Sequence, residues 1–333
     1  MSVSGAAQRS GADPRATSWA EVVRLRTLPA AVAPVILGAG AAAALGAFSP
    51  VRSLLAAGVA LTLQIGCNLA NDYSDGVRGA DDERTGPPRL TASGAVAPRT
   101  VKLAAFGCFG VGGLLGLALV ALSGQWWLLA VGAVLVALSG RWWLLGVGAA
   151  AVAAAWFYTG GRRPYGYMGL GEVFVFVFFG LVATAGTAYV QGGTVPGWLW
   201  AAAGGVGLIA CSLLMVNNLR DIDTDPAAGK RTLAVRLGAG RARAAFIAML
   251  WAPVAAGAVA IVWAHRALGG SGAVWLVVLA VVIAVLGAAA ARAGGTVLAG
   301  ATGRALIPAL RDAGLYELLY GVALAAALVL ASR

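Results

Sequence analysis

Apolar stretches about 20 residues long recur along the whole chain, each long enough to carry a helix across about 30 Å of hydrocarbon. They fall at about 28–48, 52–72, 100–122, 126–158, 171–190, 197–218, 244–264, 273–293 and 313–332. Lipid offers a backbone no water to bond, so spanning segments made of Ala, Leu, Val and Gly must be helical. Small residues such as Gly112 and Gly116 stand one turn apart and permit close helix approach. Hydrophobic residues make up 60% of the chain and charged ones only 11%, too few polar side chains to cover a water-soluble globule. A soluble enzyme is excluded. The expected fold class is all-α, a polytopic membrane helical bundle of about nine transmembrane helices. Residues 1–333 read as one integral-membrane domain, with a polar leader over 1–23 that lacks a signal-peptide core and cleavage site.

Orientation follows from the basic residues. With the N-terminus inside, only Arg52, Arg141, Arg266 and Arg333 of the 24 Lys and Arg residues fall on the opposite side. This asymmetry, with heavy Ala, Gly and Arg usage, predicts a multi-pass protein of a bacterial plasma membrane with its basic loops in the cytoplasm. Trp126, Trp127, Trp142, Trp143, Trp198, Trp200, Trp263 and Trp275 fall near the other boundary, where an aromatic belt is expected. The net charge of +11 therefore reads as topology and contact with anionic membrane lipid; no nucleic acid is expected as a partner. Within 121–152, Ala121-Leu-Ser-Gly-Gln-Trp-Trp-Leu-Leu is nearly repeated from Ala137. A unit of about 16 helical residues rises only about 24 Å. The copy is read as a re-entrant or interfacial insertion, or as a lengthened helix end.

Most of the 13 acidic residues gather in two clusters at span ends on the basic face. The first is Asn68-Leu-Ala-Asn71-Asp72-Tyr73-Ser74-Asp75, followed by Arg78, Asp81, Asp82, Glu83 and Arg84. The second is Asn217-Asn218-Leu-Arg220-Asp221-Ile-Asp223-Thr-Asp225, followed by Lys230 and Arg231. Asn68, Asp72 and Asp75 are spaced to share one helix stripe, and Asn217 or Asn218 with Asp221 and Asp225 repeats the pattern. Carboxylates on one stripe repel unless a cation sits between them. Their hard oxygens suit Mg2+, which commonly combines a few carboxylates with substrate phosphate oxygens. His265 is the only histidine, and Cys67, Cys108 and Cys211 lie in apolar runs, which argues against zinc, redox metals or disulfides. Basic followers suit phosphate. A single cluster of this kind reads more readily as a solvated loop; two in matching order point to a site for a diphosphate with a hydrocarbon tail. Glu172 either contacts substrate or caps its helix. Asp312 and Glu317 are assigned to the start of the last helix, and His265 to the interface.

These motifs resemble the paired Asp-rich motifs of the UbiA-type membrane prenyltransferase superfamily, and the likeness runs over nearly the whole chain. The stretches Asn68–Asp75, Arg163-Pro-Tyr-Gly-Tyr-Met-Gly-Leu-Gly-Glu172 and Gly229-Lys-Arg-Thr-Leu-Ala-Val-Arg-Leu-Gly238 resemble the subgroup acting on 1,4-dihydroxy-2-naphthoate in menaquinone synthesis. The superfamily's usual third acid falls here on Gly79, with Asp81 the nearest substitute. The resemblance implies Mg2+ held by Asp72, Asp75, Asp81, Asp221 and Asp225, with Asn68, Asn71, Asn217 and Asn218 in support. It implies a polyprenyl diphosphate bound through Arg78, Arg84, Lys230 and Arg231, and an acceptor met by Arg163 among Tyr158, Tyr165 and Tyr167. Those loop residues read equally as interfacial anchors. The implied reaction moves the polyprenyl group to the naphthoate with loss of CO2 and diphosphate. The alternatives are another aromatic acceptor (4-hydroxybenzoate, homogentisate or haem) or, in a different class, a membrane transporter. Against transport, the acids lie at span ends and not at the midplane.

Overall fold

The computed structural model describes residues 27–77, 90–126, 168–271 and 273–332. Helices dominate, and no strand occurs among the described residues. In chain order they are α1 (Leu28–Ala44), α2 (Pro50–Val77), α3 (Pro98–Ser123) and α4 (Gly171–Gly192). There follow α5 (Gly197–Arg220), the short α6 (Leu233–Leu237), α7 (Ala239–Leu268), α8 (Val274–Leu298) and α9 (Ile307–Ala331). Seven segments are long and apolar enough to cross a membrane: α2, α3, α4, α5, α7, α8 and the helical run ending in α9. Leu28–Ala44 is apolar but shorter. The expected span at 126–158 and most of the tandem repeat lie outside the described residues, so eight of the apolar stretches are accounted for by described helices.

The amphipathic logic of a soluble bundle is inverted. α5 is the central helix, with buried residues on every side, as expected of a helix that is apolar all round. It packs on α4, α7 and α9, and α1 is inserted between α9 and α4. α2 and α3 pair with each other beside this group and present Leu54, Leu103 and Leu114 outward; α8 does the same with Val274 and Val277. Such side chains suit contact with lipid tails.

Backbone contact, not side-chain volume, sets the α4–α5 seam. A Cβ added to Gly180 would lie 2.6 Å from the Gly207 Cα, so only glycine fits. α4 is π-helical over Phe176–Val182, the stretch that includes Gly180. Gly321 of α9 is equally close to α1: a Cβ there would meet the Ala33 carbonyl oxygen at 2.6 Å.

The ends of the bundle differ in chemistry. One end is stitched by Arg52, which donates to the carbonyls of Gln191 and Leu122, and by Tyr189 bonded to Gln125. His265 lies there too, stacked on Trp275 at 4.4 Å. Trp126, Trp200 and Trp263 are exposed as a belt requires, whereas Trp198 is buried in the core because α5 is enclosed at that turn. The other end gathers the C-terminal turns of α2 and α5, the start of α4 and the α8–α9 connection.

Candidate active site

α2 continues to Val77, so Asn68, Asp72 and Asp75 keep the expected stripe, and all three are buried. Asp72 is held by the turn that leads into α3. The Leu90 N–H donates to Oδ2 at 3.1 Å, and the Thr91 N–H and hydroxyl donate to Oδ1 at 3.0 and 2.7 Å. A carboxylate offers about four acceptor positions, and this turn occupies most of those of Asp72. Asn68 donates to the Thr27 hydroxyl at 3.3 Å, and Gln64 donates to the same hydroxyl at 3.2 Å. Asn71 is half-buried, and the Lys102 ammonium lies 5.7 Å from the Tyr73 ring centroid.

The second motif departs from the expected continuous stripe. α5 stops at Arg220, and Asp221 is its C-cap with φ −99° and ψ 13°. Pro226 restricts the residue before it, and the Asp and Thr side chains of 221–225 favour turns over helix. Two helix-like bonds survive, from the Asp225 N–H to the Asp221 carbonyl at 2.9 Å and from the Ala228 N–H to the Thr224 carbonyl at 3.3 Å. Arg220 grips its neighbour with Nε 2.9 Å from Asp221 Oδ1 and a second nitrogen on Oδ2. Asp225 is buried, with the Thr232 hydroxyl 3.5 Å from Oδ2, and Thr232 also accepts from the Val235 N–H that opens α6.

Lys230 joins the two motifs. Its Nζ lies 3.4 Å from Asp75 Oδ2, with the two side chains only 16% and 7% exposed. Residues far apart in sequence thus form one charged contact where water is largely excluded. Arg231, the next residue, turns elsewhere: with Pro226, Gly229, Val235 and Arg236 it lines an open cleft of about 440 Å³. A third element arrives from α4, where Glu172 Oε1 accepts from Asn218 Nδ2 at 3.2 Å. Asn217 is half-buried on the same turn of α5.

Arg78, Asp81, Arg84, Tyr158, Arg163, Tyr165 and Tyr167 lie outside the described residues. Among the described residues, no three Asp, Glu, His or Cys side chains come together as a metal-holding group. Asp72, Asp75, Asp221 and Asp225 are instead each engaged by protein partners. The donors on these elements are all carboxylate or amide oxygens, a set that fits Mg2+ and not a softer metal.

The profile of the UbiA prenyltransferase family matches residues 31–295, a span that holds both motifs. The chain belongs to this family. As a UbiA prenyltransferase with several membrane-crossing helices, it is a multi-pass membrane protein. It is 45% identical over 314 residues to the 1,4-dihydroxy-2-naphthoate octaprenyltransferase of Mycobacterium tuberculosis, covering 93% of this chain and 96% of that one. It is 39% identical to the Escherichia coli protein of the same name, covering 69% and 71%. Among solved structures, a UbiA homologue from Archaeoglobus fulgidus bound to DMAPP and Mg2+ superposes with a TM-score of 0.60 at 15% identity, covering 94% and 99%. An apo UbiA homologue from Aeropyrum pernix K1 gives 0.56 at 18%, covering 92% and 98%. At such identities these likenesses establish the UbiA fold.

Sequence reasoning did not find three features of this UbiA site: the Leu90–Thr91 clamp on Asp72, the Arg220–Asp221 pair and the Glu172–Asn218 bond. Only the last left a sequence signal, an acid in the first turn of an apolar span.

Proposed function

We propose that this UbiA prenyltransferase transfers a polyprenyl group from polyprenyl diphosphate to 1,4-dihydroxy-2-naphthoate, releasing diphosphate and CO2 and giving demethylmenaquinol, the reduced form of demethylmenaquinone. The observation that carries the reading is the Asp75–Lys230 contact, which joins the two acid motifs into one buried centre. The acceptor is taken from relatives named for the same reaction, matched over nearly the whole chain. The site would act as part of one integral-membrane domain in a bacterial plasma membrane, open to the cytoplasm.

Asp72, Asp75, Asp81, Asp221 and Asp225 would hold Mg2+, supported by Asn68, Asn71, Asn217 and Asn218. When bound, the cation supplies charge stabilisation to the diphosphate leaving group. Lys230, with Arg78 and Arg84, binds diphosphate oxygens and offsets the charge that grows as the allylic C–O bond breaks. Lys230 is placed for this by Asp75, from which the arriving phosphate can take over the ammonium. Arg231 lines the adjacent open cleft with Arg236 and would add positive charge beside the site. The apolar walls of the bundle take the prenyl tail and keep water from the allylic carbon. Arg163 and the aromatic side chains of Tyr158 and Tyr165 orient the naphthoate. The new bond forms at the ring carbon that bears the carboxylate. The carboxyl group then leaves as CO2, and its bonding pair restores the aromatic ring.

The test is an assay of detergent-purified protein with Mg2+, a polyprenyl diphosphate and either 1,4-dihydroxy-2-naphthoate or 4-hydroxybenzoate, read by mass spectrometry. A decarboxylated prenyl product from the naphthoate alone is expected. Product from 4-hydroxybenzoate alone would overturn the acceptor and keep the reaction class.

A further inference from the structure

Glu172 is a buried acid at this end of the bundle that the two motifs do not explain, as are Asp312 and Glu317 of α9. Glu172 opens α4, and its carboxylate, which also accepts from its own backbone N–H, crosses to α5 and accepts from Asn218. It is only 6% exposed, at a membrane boundary where a buried carboxylate is costly to keep. Its backbone is fixed as well, because the Cys211 thiol donates to the Glu172 carbonyl at 3.1 Å. Further along the same seam the glycine backbones of α4 and α5 touch. The carboxylate is therefore delivered to Asn218 by a rigid frame.

The consequence falls on Asn218. A carboxylate accepts hydrogen bonds, so the amide nitrogen must face Glu172, and the carbonyl oxygen must point away from it. Asn218 stands one turn before Asp221, on the stripe that carries the second motif into the site. A free asparagine would present nitrogen or oxygen with similar ease. A nitrogen facing Asp221 or Asp225 would compete for the oxygens that a cation needs.

We propose that Glu172 is a positioning residue that locks the Asn218 carboxamide, so that its oxygen is offered as a hard donor to the cation accompanying the diphosphate. This rests on the diphosphate reading given above. Glu172 itself touches neither substrate nor cation; it acts through Asn218, as outer partners of metal ligands commonly do.

The experiment uses the full-length protein with a non-reactive prenyl thiolodiphosphate and follows bound Mn2+ by electron paramagnetic resonance. Glu172→Ala and Asn218→Ala should each weaken Mn2+ binding about tenfold, and the double variant should be no weaker than either alone. Glu172→Gln keeps an acceptor oxygen for the Asn218 nitrogen and should stay within about threefold of wild type. Additive losses would overturn the role, as would a Glu172→Gln protein as weak as Glu172→Ala, because charge and not orientation would then be acting. If Glu172→Ala does not insert, Glu172→Gln compared with Asn218→Ala decides the same question. Wild-type protein that binds no Mn2+ with the analogue would overturn the diphosphate reading and this role together, whereas additive losses in a binding-competent protein overturn the role alone.

Discussion

The two acid motifs are near copies in sequence and are held in opposite ways. Asp72 and Asp75 ride on an unbroken helix, with Asp72 clamped by backbone N–H groups and a hydroxyl of a neighbouring turn. Asp221 and Asp225 sit beyond the end of α5, steadied by Arg220, Thr232 and two helix-like bonds. The first motif is a rigid wall, and the second is a turn whose following residues reach back, through Lys230, to Asp75. A fixed half and a loop-borne half suit a site that must admit a bulky diphosphate and then close charge around it. Equal residue spacing thus encodes unequal mechanics.

If both halves serve one cation-bound diphosphate, removing divalent metal should have the largest effect. EDTA should abolish product formation in the mass-spectrometric assay, and added Mg2+ should restore it. Next come the carboxylates: Asp75→Asn on the wall and Asp221→Asn on the turn should each lower kcat by about 10²–10³-fold. A large loss in one and near-normal turnover in the other would break the symmetry of function. Lys230→Gln should cost less, about 10–100-fold in kcat/KM for the diphosphate, the range for losing a charge-assisted contact. The mechanical contrast is sharpened by the smallest changes. Thr91→Val removes a 2.7 Å bond to Asp72 and should lower stability by about 1–2 kcal/mol, seen as a lower thermal midpoint in detergent. Thr232→Val removes a 3.5 Å contact to Asp225 and an equally long cap bond from the Val235 N–H, and should cost less, about 0.5–1 kcal/mol. The reverse order would mean that the turn, and not the helix, is the rigid half.

Much of this was legible in the chain because lipid imposes simple rules. The apolar runs at 52–72, 197–218 and 244–264 correspond to α2, α5 and α7, since backbone satisfaction and bilayer thickness dictate both type and length. The stripe of Asn68, Asp72 and Asp75 follows from helical periodicity alone. Its counterpart after Arg220 does not, because turn chemistry ahead of Pro226 overrides the period. Asn218 finding Glu172, and Lys230 finding Asp75, depend on how α4 and α5 and the loop after α5 pack. No spacing rule encodes those meetings. The burial of Trp198 has the same origin, since α5 lies at the centre of the bundle.

That the two unlike halves form a single diphosphate site is tested most directly by a crystal structure with Mg2+ and a non-reactive polyprenyl thiolodiphosphate. A shared site predicts the diphosphate between Asp75 and Asp221, with Lys230 moved from Asp75 onto a phosphate oxygen. A diphosphate held by one motif alone, with Lys230 still on Asp75, would contradict it.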